Sequence, residues 1–155
     1  CRELNVPAVQ VSIMVEAPSA ALIADIIAPV SDFFSIGTND LTQYTLAIDR
    51  GHPTMAFMSD GLHPAVLRLI AHTIESAHKF GNRCDLCGEL GSTPAAVPIL
   101  VGLGMDELSV STPAIPAVKA QIRSLKLEEV QPLAQKALTC ATPQEVRQLV
   151  KETLG

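Results

Sequence analysis

Short apolar runs alternate with helical segments along the chain, and this alternation constrains the fold more than any other feature. The runs are rich in β-branched residues and are too short for ordinary helices, so we predict strands at residues 9–15, 32–36, 83–87 and 107–111. Helices are predicted at residues 20–28, 41–48, 64–80 and 93–101, and then at 114–124, 127–138 and 143–153. Because no tight hairpin turn separates the strands, the pattern predicts an α/β fold with parallel strands and crossover helices. The nearly uniform apolar character of the strands predicts that both faces of the sheet are covered.

Composition and charge exclude several classes of function. The chain has 155 residues, and 11 Lys and Arg against 16 Asp and Glu give a formal net charge of −5. No basic cluster is present, so we expect no nucleic-acid partner. No apolar run approaches the roughly 20 residues of a membrane helix, so we expect no membrane insertion and a cytoplasmic protein. The four cysteines do not form the pattern of a secreted disulfide framework.

The chemically informative residues follow the predicted strands directly. In parallel α/β folds the functional groups lie beyond the carboxyl ends of the strands. This rule selects Glu16, residues 37–40, residues 87–89 and residues 109–112. Glu16 and Asp40 come from consecutive strands and can converge on one Mg²⁺ ion, or each can cap the helix that follows it. Asn39 offers amide donors, and Arg50 offers a guanidinium suited to phosphate oxygens, although an exposed arginine in a loop is most often solvated.

Two cysteines in a Cys-x-x-Cys arrangement permit several interpretations. One such pair without further ligands is a weak zinc signal, and it does not open a helix as a thioredoxin-like redox pair does. A better functional interpretation is that Cys87, at a strand end, donates a proton, while Cys84 belongs to the core. The four histidines (His52, His63, His72 and His78) are expected to be structural or solvated.

Several long motifs resemble the PEP-utilising enzyme family. They are residues 13–21 (Ile-Met-Val-Glu-Ala-Pro-Ser-Ala-Ala), residues 32–51, residues 87–90 (Cys-Gly-Glu-Leu) and residues 104–109. The stretch Tyr-Thr-Leu-Ala-Ile-Asp-Arg-Gly at residues 44–51 resembles the enzyme I branch of the bacterial sugar phosphotransferase system more than the family's other members. The His-Pro at residues 52–53 and the stretch at residues 61–70 resemble the enzyme I modules of multiphosphoryl transfer proteins. This resemblance implies a (β/α)₈ TIM barrel that binds phosphoenolpyruvate and Mg²⁺ and forms a homodimer.

The resemblance also implies a role for each site residue. Glu16 and Asp40 would be the Mg²⁺ ligands, and Asn39 and Asp40 would contact phosphoenolpyruvate. Arg50 would bind the phosphate of the substrate, and Cys87 would protonate the enolate carbon as pyruvate forms. The partner would be a histidine-containing phosphocarrier protein, reached through an N-terminal phosphohistidine domain.

Length and two departures from the family pattern qualify these expectations. A complete (β/α)₈ barrel needs roughly 250 residues, so we interpret residues 1–155 as the C-terminal half of the barrel, with about four βα units and then C-terminal helices. On this interpretation the N-terminal half-barrel and the phosphohistidine domain are absent, the helix-like start at Cys1 is a cut, and the chain alone is inactive.

Two positions depart from the family pattern. Asp85 replaces a small residue and would raise the pKa of the Cys87 thiol if it faced the pocket. Gly91-Ser92-Thr93 replaces Ala-Gly-Asp. The alternatives are a domain of the pyruvate phosphate dikinase or PEP synthase type and a non-catalytic regulatory or dimerisation module.

Overall fold

Four short parallel strands form one sheet in which the spatial order follows the sequence. The computed structural model describes residues 9–49 and 51–155. The strands are β1 (Ser12–Val15), β2 (Phe33–Gly37), β3 (Arg83–Cys87) and β4 (Glu107–Ser109), in the order β1-β2-β3-β4. All three strand pairs are parallel, and they place Ser35 opposite Asp85 and Gly37 opposite Cys87. The chain is therefore an α/β half-barrel followed by C-terminal helices, as the sequence predicts.

Helices connect the strands and then complete the chain. The α-helices are α1 (Pro18–Leu22), α2 (Ala24–Ile27), α3 (Thr38–Leu46), α4 (Pro64–Lys79), α5 (Val97–Gly102), α6 (Ile115–Ser124), α7 (Leu127–Ala137) and α8 (Pro143–Leu154). Prolines occupy the first turns of α1, α4 and α8, where no intrahelical N–H is needed. Thr142 accepts a hydrogen bond from the Glu145 amide and caps α8. Within the described ranges, no helix combines the length and apolar character needed to cross a membrane.

Three predicted helices differ by more than one residue from those in the structure. The predicted helix at residues 20–28 is broken at Ile23 into α1 and α2, and a 3₁₀ turn follows at Ala28–Val30. α3 begins three residues earlier than predicted, directly after β2, and ends where Ala47 adopts a left-handed conformation. The predicted helix at 93–101 is regular only from Val97. The errors in the second and third helices fall at helix ends, which are the least reliably assigned positions, whereas the break at Ile23 lies inside the predicted helix.

Only one face of the sheet is covered by the described part of the chain, so the prediction of two covered faces is wrong. Phe34, Ile36, Cys84 and Leu86 point toward the helices and are fully buried. The opposite face is the inner face of a barrel, and it carries polar side chains such as Ser35 and a half-exposed Met14. An inner face is closed by strands from the far side of a barrel, and four strands cannot supply them.

The C-terminal helices are packed tightly against the half-barrel. A Cβ atom on Gly102 of α5 would lie 2.7 Å from the carbonyl carbon of Val130 and 2.8 Å from Cβ of Ala134, both on α7. α7 contributes Val130, Leu133 and Ala134 to the buried residues, and α8 contributes Val146. The helices after β4 are thus part of the same packed unit as the sheet.

Candidate active site at the strand ends

The predicted site residues that the structure describes lie at one edge of the sheet. Glu16 follows β1 directly, Asn39 and Asp40 occupy the first turn of α3 after β2, and Cys87 is the last residue of β3. Because the strands are parallel, these ends share one rim. Arg50, the predicted phosphate ligand, lies outside the described residues.

Glu16 crosses from β1 to β2 along the rim. A Cβ atom on Gly37 would lie only 2.6 Å from Cγ and Oε1 of Glu16. Any larger residue at position 37 would therefore displace the carboxylate, since real contacts between carbon atoms are about 3.5 Å or longer. Glycine at the end of β2 thus permits the carboxylate to lie over the strand that leads to Asn39 and Asp40.

Two hydrogen bonds join the start of α3 to the end of β3. The Thr38 hydroxyl donates to the carbonyl oxygen of Cys87 (3.2 Å), and the Glu89 amide donates to Oδ1 of Asn39 (3.3 Å). Gly88 between them has φ +122°, a conformation that favours glycine, and a Cβ there would meet the Thr38 hydroxyl. The bond from Glu89 uses the acceptor oxygen of Asn39 and directs its amide nitrogen away from the β3 turn.

The Cys87 thiol lies on the inner face of the sheet between two other side chains. The Ser35 hydroxyl donates to Sγ of Cys87 at 3.7 Å, and the thiol donates to Sδ of Met14 at 3.6 Å. Sequence reasoning missed both contacts. The only signal is the period-two alternation of strands: Met14, Ser35 and Cys87 fall on one face once the register is known.

Asp85 also lies on the inner face, two residues before Cys87, but its charge is already paired. Its side chain is about 90% buried, and Nη2 and Nε of Arg83 lie 3.0 and 2.9 Å from its two oxygens. The prediction considered Asp85 as a carboxylate beside the Cys87 thiol, and the structure pairs this carboxylate with the neighbouring arginine. The guanidinium also lies 5.3 Å from the centre of the Phe33 ring, which helps to hold it in place.

Cys84 belongs to the core, as predicted. It is fully buried, and burial followed by the charges of Asp106 and Asp85 raises the pKa of its thiol to about 12. Cys84 and Cys87 point to opposite faces of β3 and both are free thiols, so they cannot act together as a metal or redox pair. The prediction that Cys84 belongs to the core is therefore confirmed, and the role of Cys87 stays a prediction.

Glu16 and Asp40 fit a hard divalent cation. Neither carboxylate forms an ion pair with any residue in the described ranges. Among the residues that the structure describes, no group of three or more His, Cys, Asp or Glu side chains is arranged to hold a metal ion. Two unpaired carboxylates at one rim match Mg²⁺, which is bound through one or two carboxylates and completes its shell with water and substrate oxygens.

A cavity of about 840 Å³ adjoins this rim. Asn39 and Glu89 line one side, and the loop between α3 and α4 lines another through Gly51 and Asp60. Arg147 of α8 also reaches this cavity. Glu16, Asp40 and Cys87 do not line it, so the structure places the predicted residues on one rim but not in one enclosed pocket.

Three of the histidines have structural roles, as predicted. His63 Nδ1 accepts a hydrogen bond from the Ala65 amide and caps α4, and His52 Nδ1 accepts one from the Thr54 amide. His78 pairs with Asp106 at 2.8 Å on the opposite side of the sheet from the rim. None of the three has a hydrogen bond or ion pair with Glu16, Asn39, Asp40 or Cys87, the predicted site residues that the structure describes.

The fold and the rim define a barrel-type α/β enzyme domain, and sequence comparison identifies its family. The sequence model of the family described as "PEP-utilising enzyme, PEP-binding domain" matches residues 3–127. The chain belongs to this family of PEP-utilising enzymes.

Similar proteins of known name extend the match to nearly the whole chain. A multiphosphoryl transfer protein of Xanthomonas campestris is 49% identical over 153 residues, which are 99% of this chain and 18% of that protein. A multiphosphoryl transfer protein of Rhodobacter capsulatus is 49% identical over 95% of this chain and 18% of its own length. A phosphoenolpyruvate-protein phosphotransferase of Bacillus subtilis is 46% identical over 94% of this chain and 25% of its own length. The chain therefore spans only 18 to 25% of the length of these relatives.

Proposed function

We propose that this chain is part of the phosphoenolpyruvate-binding domain of a phosphoenolpyruvate-protein phosphotransferase. The intact protein transfers phosphate from phosphoenolpyruvate to one of its own histidines and then to a histidine-containing phosphocarrier protein. The observation that carries this proposal is the arrangement at the rim, in which Glu16, Asn39 and Cys87 lie on three neighbouring strand ends. Gly37 leaves room for the Glu16 side chain, and hydrogen bonds from Glu89 and Ser35 reach Asn39 and Cys87. The names of the similar proteins support the same activity.

Glu16 and Asp40 would hold Mg²⁺ in this proposal. The bound ion supplies positive charge that neutralises phosphate and carboxylate oxygens of the substrate, which is the main requirement of phosphoryl transfer. Asn39 contributes amide hydrogens, and its orientation is set in advance by the Glu89 amide. Arg50 would bind the phosphate through its planar guanidinium.

Cys87 would act as the acid that completes pyruvate. The bond between phosphorus and the bridging oxygen breaks as the histidine nitrogen bonds to phosphorus, and the electron pair of the enolate carbon takes the proton from Sγ of Cys87. The thiolate that remains accepts a hydrogen bond from Ser35 and regains its proton from water. A thiol suits this step because its ordinary pKa of about 8.5 lies close to neutral pH.

The remaining expectations concern the intact protein. We expect a cytoplasmic homodimer in which phosphoenolpyruvate binds and pyruvate is released at this rim. The isolated chain should not phosphorylate itself, because it lacks the phospho-accepting histidine motif of the family.

Transfer of radiolabelled phosphate from phosphoenolpyruvate tests the proposal. The full-length protein should become labelled on histidine in a Mg²⁺-dependent way, and Glu16→Gln or Asp40→Asn should reduce labelling by at least about a hundredfold. Glu75→Gln is the matched control, because Glu75 is an exposed carboxylate paired only with Lys79 on the same helix. No labelling of the wild-type protein would contradict the proposal and would favour a non-catalytic module. Labelling that requires a nucleotide would favour the dikinase type.

A further inference from the structure

An ion pair ties the C-terminal helix to the loop that borders the cavity at the rim. Nη1 of Arg147 donates to Oδ2 of Asp60 at 2.6 Å, and Nη2 donates to Oδ1 at 3.0 Å. The two residues are 87 positions apart in the sequence. Arg147 lies outside residues 3–127, the part of the chain that matches the family's sequence model. The contact is thus a feature of this chain's C-terminal helix and not of the predicted catalytic set.

The geometry of the pair is that of a fixed contact and not of a loose surface pair. The Asp60 side chain is 19% exposed, and both guanidinium nitrogens face its carboxylate in a two-point arrangement. Nη1 of Arg147 also lies 3.4 Å from the Pro143 carbonyl oxygen in the first turn of α8, which orients the guanidinium. Two-point pairs between arginine and carboxylate are among the strongest hydrogen-bonded contacts in proteins.

Asp60 in turn shapes the loop at residues 51–62. Its Oδ1 accepts a hydrogen bond from the Leu62 amide, and its carbonyl oxygen accepts one from the His63 amide where α4 begins. The adjacent Gly61 lies against Leu90, in the turn after Cys87, and a Cβ at Gly61 would lie 2.9 Å from Leu90 Cδ1. Asp60 therefore links α8 to the loop at the point where the loop meets the β3 turn.

The rest of this loop has few anchors. The described residues from Gly51 to Met55 are exposed, and the Phe57 side chain is 82% exposed. Gly51 and Asp60, near the two ends of the loop, line the same cavity as Asn39 and Arg147. The contact with Arg147 therefore holds this cavity wall, together with the packing of Gly61 against Leu90.

We propose that Arg147 is a positioning residue for substrate binding, because it holds Asp60 and thereby fixes the loop at 51–62 as a wall of the Asn39 cavity. This inference rests on the proposed function, since it takes phosphoenolpyruvate as the ligand at the rim. Arg147 does not contact the reacting atoms and acts only through Asp60. Its loss should weaken substrate binding and leave the chemical step intact.

Steady-state kinetics of the full-length protein test this role. Arg147→Ala should raise KM for phosphoenolpyruvate about tenfold while kcat changes by no more than about twofold. Arg147→Lys keeps the positive charge and should recover part of the affinity. Asp60→Asn keeps an oxygen for the Leu62 amide but loses the charge, so it should resemble Arg147→Ala, and the double variant should be no worse than either single one.

Arg68→Ala is the matched control. Nε of Arg68 donates to the Leu138 carbonyl oxygen at 2.7 Å, so it ties α4 to the end of α7 but contacts no part of the loop. KM should be unchanged in this variant. Equal increases in Arg68→Ala and Arg147→Ala would show that general loosening of the C-terminal helices is responsible, and would overturn the inference.

The outcomes separate this inference from the proposed function. A wild-type protein that does not bind phosphoenolpyruvate overturns both. Wild-type binding together with an unchanged KM in Arg147→Ala, or a fall in kcat alone, overturns only the role of Arg147. Should Arg147→Ala fail to fold, Arg147→Lys and Asp60→Asn carry the same comparison, and additive effects in their double variant would contradict the proposal.

Discussion

Substitution of Gly37 by alanine should weaken Mg²⁺ binding while changing the free energy of unfolding only slightly. The new Cβ would lie 2.6 Å from Cγ and Oε1 of Glu16 and 3.0 Å from its Cδ, so the side chain of Glu16 must move by about 1 Å to restore ordinary contacts. Gly37 has φ −83°, which alanine adopts without strain, and the Glu16 side chain is half-exposed and able to rotate. We therefore expect a loss of about 1 kcal/mol or less in the free energy of unfolding.

Metal affinity should respond far more strongly than stability. A ligand displaced by about 1 Å no longer fits the octahedral shell of Mg²⁺, and a loss of at least about tenfold in affinity is expected. Calorimetric titration of the full-length protein with Mg²⁺ in the presence of phosphoenolpyruvate measures this, with Glu16→Gln as the reference for complete loss of the ligand.

Gly81→Ala is the control, because it should lower stability and leave Mg²⁺ affinity unchanged. Gly81 has φ +73° and no atom within 4 Å of a Cβ, so alanine there should cost about 1 kcal/mol through backbone strain without touching the rim. Its metal affinity should equal that of the wild type. Wild-type Mg²⁺ affinity in Gly37→Ala would refute the assignment of Glu16 as a ligand held over β2.

Three further predictions concern the core and the cysteines. Gly102→Ala should lower the free energy of unfolding in urea by about 3 kcal/mol or more, because the backbone of Val130 cannot move away from the new methyl group. Burial raises the pKa of the Asp106 carboxyl, but hydrogen bonds from the Cys84 amide and His78 outweigh burial and hold that pKa below its usual 3.8. Wild type should therefore exceed Asp106→Asn in stability by about 1 kcal/mol above pH 5, and the difference should vanish as the pH falls below 3.8; a difference that persists at pH 2 would contradict this. Iodoacetamide should modify Cys87 in the native chain and reach Cys84 only after unfolding, as measured by peptide mass spectrometry.

The strand order was predictable because local signals marked each strand separately. β3 matches its predicted bounds, since Gly81 ends the preceding helix and Gly88 follows the strand. α4 differs from its prediction by one residue, because Pro64 and Gly81 mark its ends and its apolar periodicity is strong. The position of the candidate site followed from these strand ends, because the carboxyl edge of a parallel sheet is where such sites form.

The contacts around the site were not predictable, because they depend on register and on distant residues. Ser35 reaches Cys87 only because β2 and β3 pair with Gly37 opposite Cys87. The pairing of Asp85 with Arg83 is different, because a strand places residues two apart on the same face and the sequence therefore contained a signal for it.

The apolar runs also suggested that both faces of the sheet are covered, whereas the described part of the chain covers one. The helix-facing side of a strand has a similar apolar content in a complete barrel and in a half-barrel. The apolar pattern therefore did not distinguish a complete barrel from a half-barrel. The polar inner face, with Ser35 and Asp85 opposite one another, carried the distinguishing signal.

The rate at which the full-length protein forms pyruvate from phosphoenolpyruvate tests the central claim most directly. In a single turnover, Cys87→Ala should slow pyruvate formation by at least about a hundredfold, because the substitution removes the proposed proton donor. Cys140→Ser, which alters a thiol just after the end of α7 that donates to the Lys136 carbonyl oxygen, should form pyruvate at the wild-type rate. Pyruvate formation at the wild-type rate by Cys87→Ala would contradict the account.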